Sequence, residues 1–392
     1  MKSVAIIGGG PAGLAAAEVI ATAGMAVTVY DAKPSLARKF LMAGKSGLNL
    51  TFDAPVQNLL ESYAEAGAWL NSSITAFDST NIIDWAEGLG QEIIRGSTGR
   101  VFPKVMKASP LLRAWLVRLD DLGVTQHTRW RWCGWNKGAL SFDMPDGHRA
   151  VTVDAVVLAL GGASWARLGS DGAWAEILTA KGIKPTAFDA ANAAVAVTWS
   201  NFMTKHLGKP IKGVAWCAGN YRSRGEAMLS QKGLEGGGIY SVSRGVREGA
   251  DLTVDLLPDL TVEAITKRLA KPRGKNSLIN HLRKVVKLDK VKLALLNEYA
   301  RPLPVDPHRL ARTLKAVKIS HSGLNLMDEA ISTSGGIMAS SVNEDFMLYE
   351  MPGTFCAGEM LDWEAPTGGY LLTACLATGR QAGRGVVKYL DT

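Results

Sequence analysis

Cysteine is scarce. The 392 residues hold four, Cys133, Cys217, Cys356 and Cys375, with no C-x-x-C pair among them. Neither a zinc site nor a redox dithiol is expected. The six histidines, His127, His148, His206, His281, His308 and His321, form no motif. No apolar run is long enough to cross a bilayer. Met1-Lys2 leads straight into an apolar run, with no charged leader, h-region or cleavage site before it, so no secretory signal is expected. Internal repeats and low-complexity tracts are also missing. These absences point to a soluble, cytoplasmic protein of two or three domains. With 47% hydrophobic residues it has ample material for real cores.

What is present is concentrated first in Ser3 to Asp31. Val4-Ala5-Ile6-Ile7 reads as a buried strand. It runs into Gly8-Gly9-Gly10-Pro11-Ala12-Gly13. A helix follows over Leu14–Ala23, with Gly24 as its C-terminal cap, and then a second strand ending at Asp31. Gly8-x-Gly10-x-x-Gly13 with an acid at the end of the second strand is the dinucleotide-binding pattern in its proper context. Gly8 permits the tight turn, Gly10 the approach of a pyrophosphate, and Gly13 close packing of helix on strand. The helix N-terminus attracts the phosphates. Asp31 accepts ribose hydroxyls and disfavours a 2′-phosphate, so FAD or NAD is expected there. Gly236-Gly237-Gly238 lacks a flanking strand and helix, so no second dinucleotide fold is expected.

The net charge of +8 is unevenly placed. From Lys267 to Lys292 ten Lys and Arg face one acid, Asp289, so that this window is +9 and the rest of the chain about −1. Arg38–Thr51 reads as a loop of glycine, hydroxyl and basic residues. Residues 56–94 read as helical, 96–107 as a loop and Leu111–Leu122 as an amphipathic helix. Arg129–Trp135 alternates Arg with Trp and reads as a hairpin strand, although such interleaving also suits stacking on nucleobases. Val151–Leu160 is another buried strand, with Gly161-Gly162 at its C-terminal edge, where ligands of doubly wound sheets sit. Short strands are expected from Ala190 to Pro258, including Ile239–Val242. Helices are expected over Thr261–Tyr299, with Thr261 and Asn276 as N-caps. At the C-terminus a strand, Thr354–Ala357, leads to Gly358-Glu359-Met360-Leu361-Asp362. Pro366-Thr367-Gly368-Gly369-Tyr370 then opens a long helix whose positive end suits the N1 edge of a reduced flavin.

Taken together, Ile6–Gly13 with Asp31, Arg38–Thr51, Val156–Gly162, Ser334-Gly335-Gly336, and Ala357–Asp362 with Thr367–Tyr370 resemble the bacterial FAD-dependent oxidoreductases of the BaiN/RdsA type, which include YhiN-like and aminoacetone-oxidase-like flavoproteins. The resemblance implies an α/β, Rossmann-like FAD-binding domain of the two-dinucleotide-binding flavoprotein type, with inserted β-barrel-like and small helical domains. The expected boundaries are 1–190 and 341–392 for the FAD domain, 191–259 and 317–340 for the β domain, and 260–316 for the basic helical domain. Typical members carry Gly-Gly-Arg-Cys-Asn where this chain has Lys45-Ser46-Gly47-Leu48-Asn49, so chemistry assigned to that cysteine does not carry over.

The expected cofactor site comprises Gly8, Gly10, Pro11, Ala12, Gly13, Asp31, Ala32 and Lys33 at the ADP half. Lys39, Gly44 and Asn49 approach the pyrophosphate or flavin, and Gly161 and Gly162 close the adenosine side. Gly358, Asp362, Gly369 and Tyr370 hold the ribityl chain and the N1 edge. Gly335-Gly336 is expected near the substrate cavity. No acid–base residue stands out; His321, between two serines, is the one candidate, and an ordinary surface histidine is the plainer reading. Three functions follow. The first is an FAD-dependent, NAD(P)H-linked oxidoreductase acting on a small molecule at the flavin face. The second, which the resemblance suggests, forms dihydrouridine in ribosomal RNA, gripping it through Lys267–Lys292. The third is a flavin-containing RNA-binding protein without turnover. No metal is expected.

Overall fold

A computed structural model describes residues 1–44 and 47–392. The chain divides into two compact units, residues 1–189 with 332–392, and residues 190–331.

The first unit is built on a five-stranded parallel sheet. Its strands are β1 (Ser3–Ile7), β2 (Ala26–Asp31), β3 (Thr125–Thr128), β5 (Ala155–Leu158) and β6 (Thr354–Cys356), in the order β6-β5-β1-β2-β3. β5 is apolar and buried at every position, as a central parallel strand must be. In register, Ile6 lies opposite Val157 on one side and Val29 on the other. Helix α1 (Pro11–Thr22) crosses from β1 to β2 and packs on the C-terminal helix α4 (Tyr370–Asp391). That packing is close: a Cβ on Gly379 would stand 2.2 Å from the Ala12 carbonyl oxygen.

Three segments of this unit depart from the sequence reading, one of them Ile93–Arg95, a strand at the end of the stretch expected as helical. Arg38–Thr51 opens with a short helix, α2 (Arg38–Ala43). Within 96–107, Arg100–Pro103 is a strand, paired with Thr51–Phe52 and Ile93–Arg95. Helix α3 (Ala108–Asp121) buries Leu111, Trp115 and Leu119. Strand β4 (Arg131–Asn136) begins a three-stranded antiparallel sheet, in agreement with the hairpin reading. The chain rejoins this unit at Ser332, earlier than residue 341. Thr333 explains the difference: its N–H donates to Glu359, and its hydroxyl accepts from the Ala163 N–H.

The second unit has two four-stranded sheets, and all the strand ladders within it are antiparallel. Helices Val262–Leu269, Leu278–Val285, Lys290–Tyr299 and Pro307–Lys315 share one apolar core with the sheets, joining Trp216, Val254, Leu282, Leu296 and Leu310. The expected β and helical insertions are therefore one unit. Thr261 caps the first helix as expected, but Ser277, not Asn276, caps the second. Ile239–Val242, expected as a strand, spans the end of a short helix, Gly237–Tyr240, that follows Gly236 at φ +104°, and the turn into the next, Ser243–Arg247. Its β-branched side chains still serve the core: Ile239 and Val242 are fully buried. Among the described residues no helix is long and apolar enough to cross a membrane.

Candidate functional site: a dinucleotide cleft

The C-terminal edge of the parallel sheet opens into a cleft where β1, β2 and β5 end. Gly8, Gly10, Pro11, Ala12, Asp31, Ala32, Lys39 and Gly161 of the expected site line it. Gly8 (φ +106°) makes the turn, and its Cβ would strike the Ala159 carbonyl at 2.3 Å. Gly13 lies behind the lining, where a Cβ would stand 2.0 Å from the Gly8 carbonyl oxygen. Gly10 differs from both, because nothing lies within 4 Å of where its Cβ would be. No packing requires a glycine there, whereas a ligand drawn against the backbone does. Gly10 is also the N-cap of α1, and no side chain caps that helix. Its first-turn N–H groups are left for an anion.

Asp31 closes one end of the cleft. Its carboxylate accepts the Gly9 N–H at 2.9 Å and the Lys33 N–H at 2.8 Å, which fixes its orientation. Burial pushes its carboxyl above the ordinary value, against the opposing pull of those two donors and of Lys33 and Arg38. Lys33 itself is not among the lining residues. Lys39 Nζ donates to Ser164 Oγ and Glu359 Oε2, both at 2.7 Å. It is therefore a paired cation, not a free one. Glu359 also accepts the Thr333 N–H, so three segments are tied together at the cleft wall.

The remaining expected residues sit elsewhere. Gly162 packs on Thr333, and Gly44 on Ala108 at the start of α3. Gly358 lies against Ala12 and donates to Thr378 Oγ1. Gly369 caps α4 at φ +100° beside Thr51, and Tyr370 stacks on Phe52 at 5.3 Å. None of these lines the cleft; Ala357, Glu359 and Cys375 do. Burial pushes the Cys375 thiol up to about 12, so it stays a neutral wall residue. Asp362, expected in contact with the ribityl chain, instead accepts from Thr186 Oγ1 at 2.6 Å and faces a separate depression beside Tyr63 and Trp363. Glu359, three residues earlier, is the acid of this segment that lines the cleft. His321 belongs to the second unit, where its Nδ1 accepts from the Gly323 N–H. Lys45 and Ser46 lie outside the described residues; Leu48 after them is buried, and so is the unpartnered Asn49 Oδ1.

Of the lining residues outside the expected site, three carry a buried polar atom without a partner among the described residues: Arg38 Nε, Trp132 Nε1 and Ser170 Oγ. Buried donors are rarely left unpaired. A cleft with a cationic, a neutral and a hydroxyl donor, an oriented carboxylate and an uncapped helix end fits a flavin adenine dinucleotide, which offers phosphate oxygens, base nitrogens and sugar hydroxyls. The HI0933-like protein Rossmann domain matches residues 2–385. The chain belongs to this family. It is 24% identical to the 3-dehydro-bile acid delta(4,6)-reductase of Clostridium scindens, with 98% of each chain covered. It is also 24% identical to the ribosomal RNA dihydrouridine synthase of Escherichia coli, with 93% of each covered. In fold it resembles the 3-ketosteroid-delta4-(5alpha)-dehydrogenase of Rhodococcus jostii (TM-score 0.55, 15% identity, 98% and 97% covered). It also resembles a flavocytochrome c3 fumarate reductase (TM-score 0.53, 17% identity, 99% and 78% covered). The protein is an FAD-dependent oxidoreductase, and the reading without turnover is set aside.

Proposed function

We propose that this flavoprotein reduces a small molecule bearing an activated double bond, and that NAD(P)H, docking transiently, is its reductant. Bound FAD supplies the hydride chemistry. The residues of the chain hold it: the open α1 end meets the diphosphate, Asp31 the adenosine ribose and Glu359 the ribityl side. Of the curated relatives, one is named a reductase and another a dihydrouridine synthase, whose product is a reduced uridine, which favours that direction of electron flow. The observation that carries transient docking is the antiparallel pairing throughout the ladders of the second unit. Gly236-Gly237-Gly238 does follow a short strand and opens a helix, but that helix has four residues and the strand pairs antiparallel. Nothing there supports a second dinucleotide fold. Anaerobic addition of NADH or NADPH to the purified yellow protein should bleach the oxidised flavin band, faster still to reoxidise when an enone is added. Failure of both nicotinamides to bleach it would refute the proposal.

A second reading, reduction of a uridine in ribosomal RNA, is favoured by one feature. Of the ten cations in 267–292, all but Arg268 and Lys292 are exposed, and among the described residues none of the exposed ones is in an ion pair. An unneutralised basic surface is what a phosphate backbone requires. Against it stands Leu48, an apolar side chain where similar proteins have the cysteine, which gives carbon 5 of uracil no proton. Dihydrouridine content of ribosomal RNA from cells with and without the gene separates the two readings.

A further inference from the structure

Trp132 lines the cleft and carries one of its three unpartnered buried polar atoms, Nε1. The Trp132 side chain is 6% exposed, its N–H is buried, and it has no acceptor among the described residues. An indole N–H can only donate. The ring is fixed in place: it meets Trp135 edge-on at 4.9 Å and 89°. Its strand is tied to the ribose end of the cleft, because the Trp130 N–H donates to the Asp31 carbonyl at 2.9 Å and the Arg129 N–H to that of Lys33 at 3.0 Å. Trp130 and Tyr30 line the same end. Trp130 is itself stacked on His127 at 4.8 Å, with the Arg149 guanidinium 5.6 Å from its ring centre, so it acts as a braced aromatic wall.

We propose that Trp132 is the residue that reads the adenine of FAD, donating its indole N–H to a ring nitrogen of the base. Asp31 sets the ribose at this end of the cleft and the opening of α1 sets the diphosphate. The base must therefore leave the ribose toward the β4 side. The diphosphate needs cations and the ribose needs a carboxylate; of the two flat, neutral ring systems of FAD that could accept from an indole N–H, adenine is the one at the Asp31 end, because the isoalloxazine lies beyond the diphosphate. The other two unpartnered donors suit other parts of the cofactor. Arg38 is charged, and Ser170 lies beside Gly161, where a Cβ on that glycine would approach its hydroxyl to 2.8 Å.

The inference rests on FAD occupying the cleft, which the flavin spectrum of the wild-type protein checks independently. Its own test uses protein stripped of flavin and titrated separately with FAD, ADP and FMN. Trp132→Phe should weaken FAD and ADP by the same factor, about fivefold to tenfold for one buried hydrogen bond, and leave FMN unchanged. Equal weakening of all three ligands would make Trp132 a packing residue and overturn the proposal, as would unchanged binding of FAD. If the phenylalanine variant does not fold, β-(3-benzothienyl)alanine at position 132 keeps the bicyclic outline and replaces only N–H by sulfur, with the same expected pattern.

Discussion

The four helices within 262–315 of the second unit start differently from the packed pair α1 and α4 of the first, although the first unit also has a capped helix, Ser79–Gly88, where Asp78 accepts the Thr80 and Asn81 N–H groups. In the second unit, Thr261, Ser277, Asp289 and Asp306 each turn a side-chain oxygen onto the first-turn N–H groups of the helix that follows. In the first unit, α1 and α4 begin at Gly10 and Gly369, which have no side chain to offer. A capped helix satisfies itself, whereas an uncapped one is completed by something else. The second unit reads as a self-sufficient support with a charged exterior. The cleft of the first unit presents donors that match a nucleotide. Its unpaired Arg38, Trp132 and Ser170 atoms express the same incompleteness.

The strongest way to break this comparison separates the glycines that packing requires from the one the ligand requires. Gly13→Val should destabilise the fold by more than about 3 kcal/mol, because even the Cβ collides with the Gly8 carbonyl and backbone must move. Thermal unfolding measures it. Gly10→Asp should do the opposite to the empty protein. Gly10 has φ −81°, open to any residue, and aspartate there is a good N-cap, so the flavin-free form should gain a few tenths of a kcal/mol. The same carboxylate would repel the diphosphate, and FAD affinity should fall on the order of 100-fold, about 2.7 kcal/mol. If flavin-free stability and FAD affinity fell together, the uncapped end would be a packing feature.

Asp31→Asn should weaken FAD by about tenfold through loss of a charged acceptor. The pH dependence sharpens the point. Burial raises the Asp31 carboxyl in the folded protein, so folding favours its neutral form. From this group the flavin-free protein is most stable below the unfolded value, about 3.9, and loses stability as pH rises through the raised folded value. FAD binding, which uses the carboxylate, should change in the other direction, weakening as pH falls through that window. The asparagine variant should lose both slopes. A wild-type FAD affinity flat with pH across the window would remove Asp31 from the ribose.

What the sequence revealed follows the same division. The β1-α1-β2 unit was legible because the backbone itself demands Gly8 and Gly13, and such demands leave a spacing. The acid that lines the cleft was misread because Glu359 and Asp362 stand three residues apart. Only the short turn over Gly358–Met360 decides that the first faces the cleft while the second meets Thr186. Trp132 was legible as a hairpin residue but not as a lining residue, since β4 reaches the cleft through the backbone bond from Trp130 to Asp31, which no local pattern encodes. Ile239–Val242 misled for a simpler reason. β-branched side chains fill a core from either kind of element, and here Gly236 turns the chain into a helix.

The smallest effects are expected on the exterior of the second unit, and there the comparison is most open. Thr261→Ala should cost about 1 kcal/mol, the usual value of a lost cap. Replacing Arg283, Lys284 and Lys287 together by Gln should change stability by less than about 0.5 kcal/mol, because all three are exposed and unpaired among the described residues. Lys292 is a built-in control. It lies within the same basic window, but its ammonium donates to the Gly213 and Leu256 carbonyls, and burial lowers its pKa, so Lys292→Met should destabilise where the triple variant does not. With the fold intact, the triple variant isolates the role of the charge. If the surface grips RNA, the slope of log affinity against log salt should shrink by about one unit per lost phosphate contact. An unchanged slope would assign these cations to solvent alone. The second unit would then support the flavin enzyme without bringing it a substrate, and the small-molecule reading would stand without a rival.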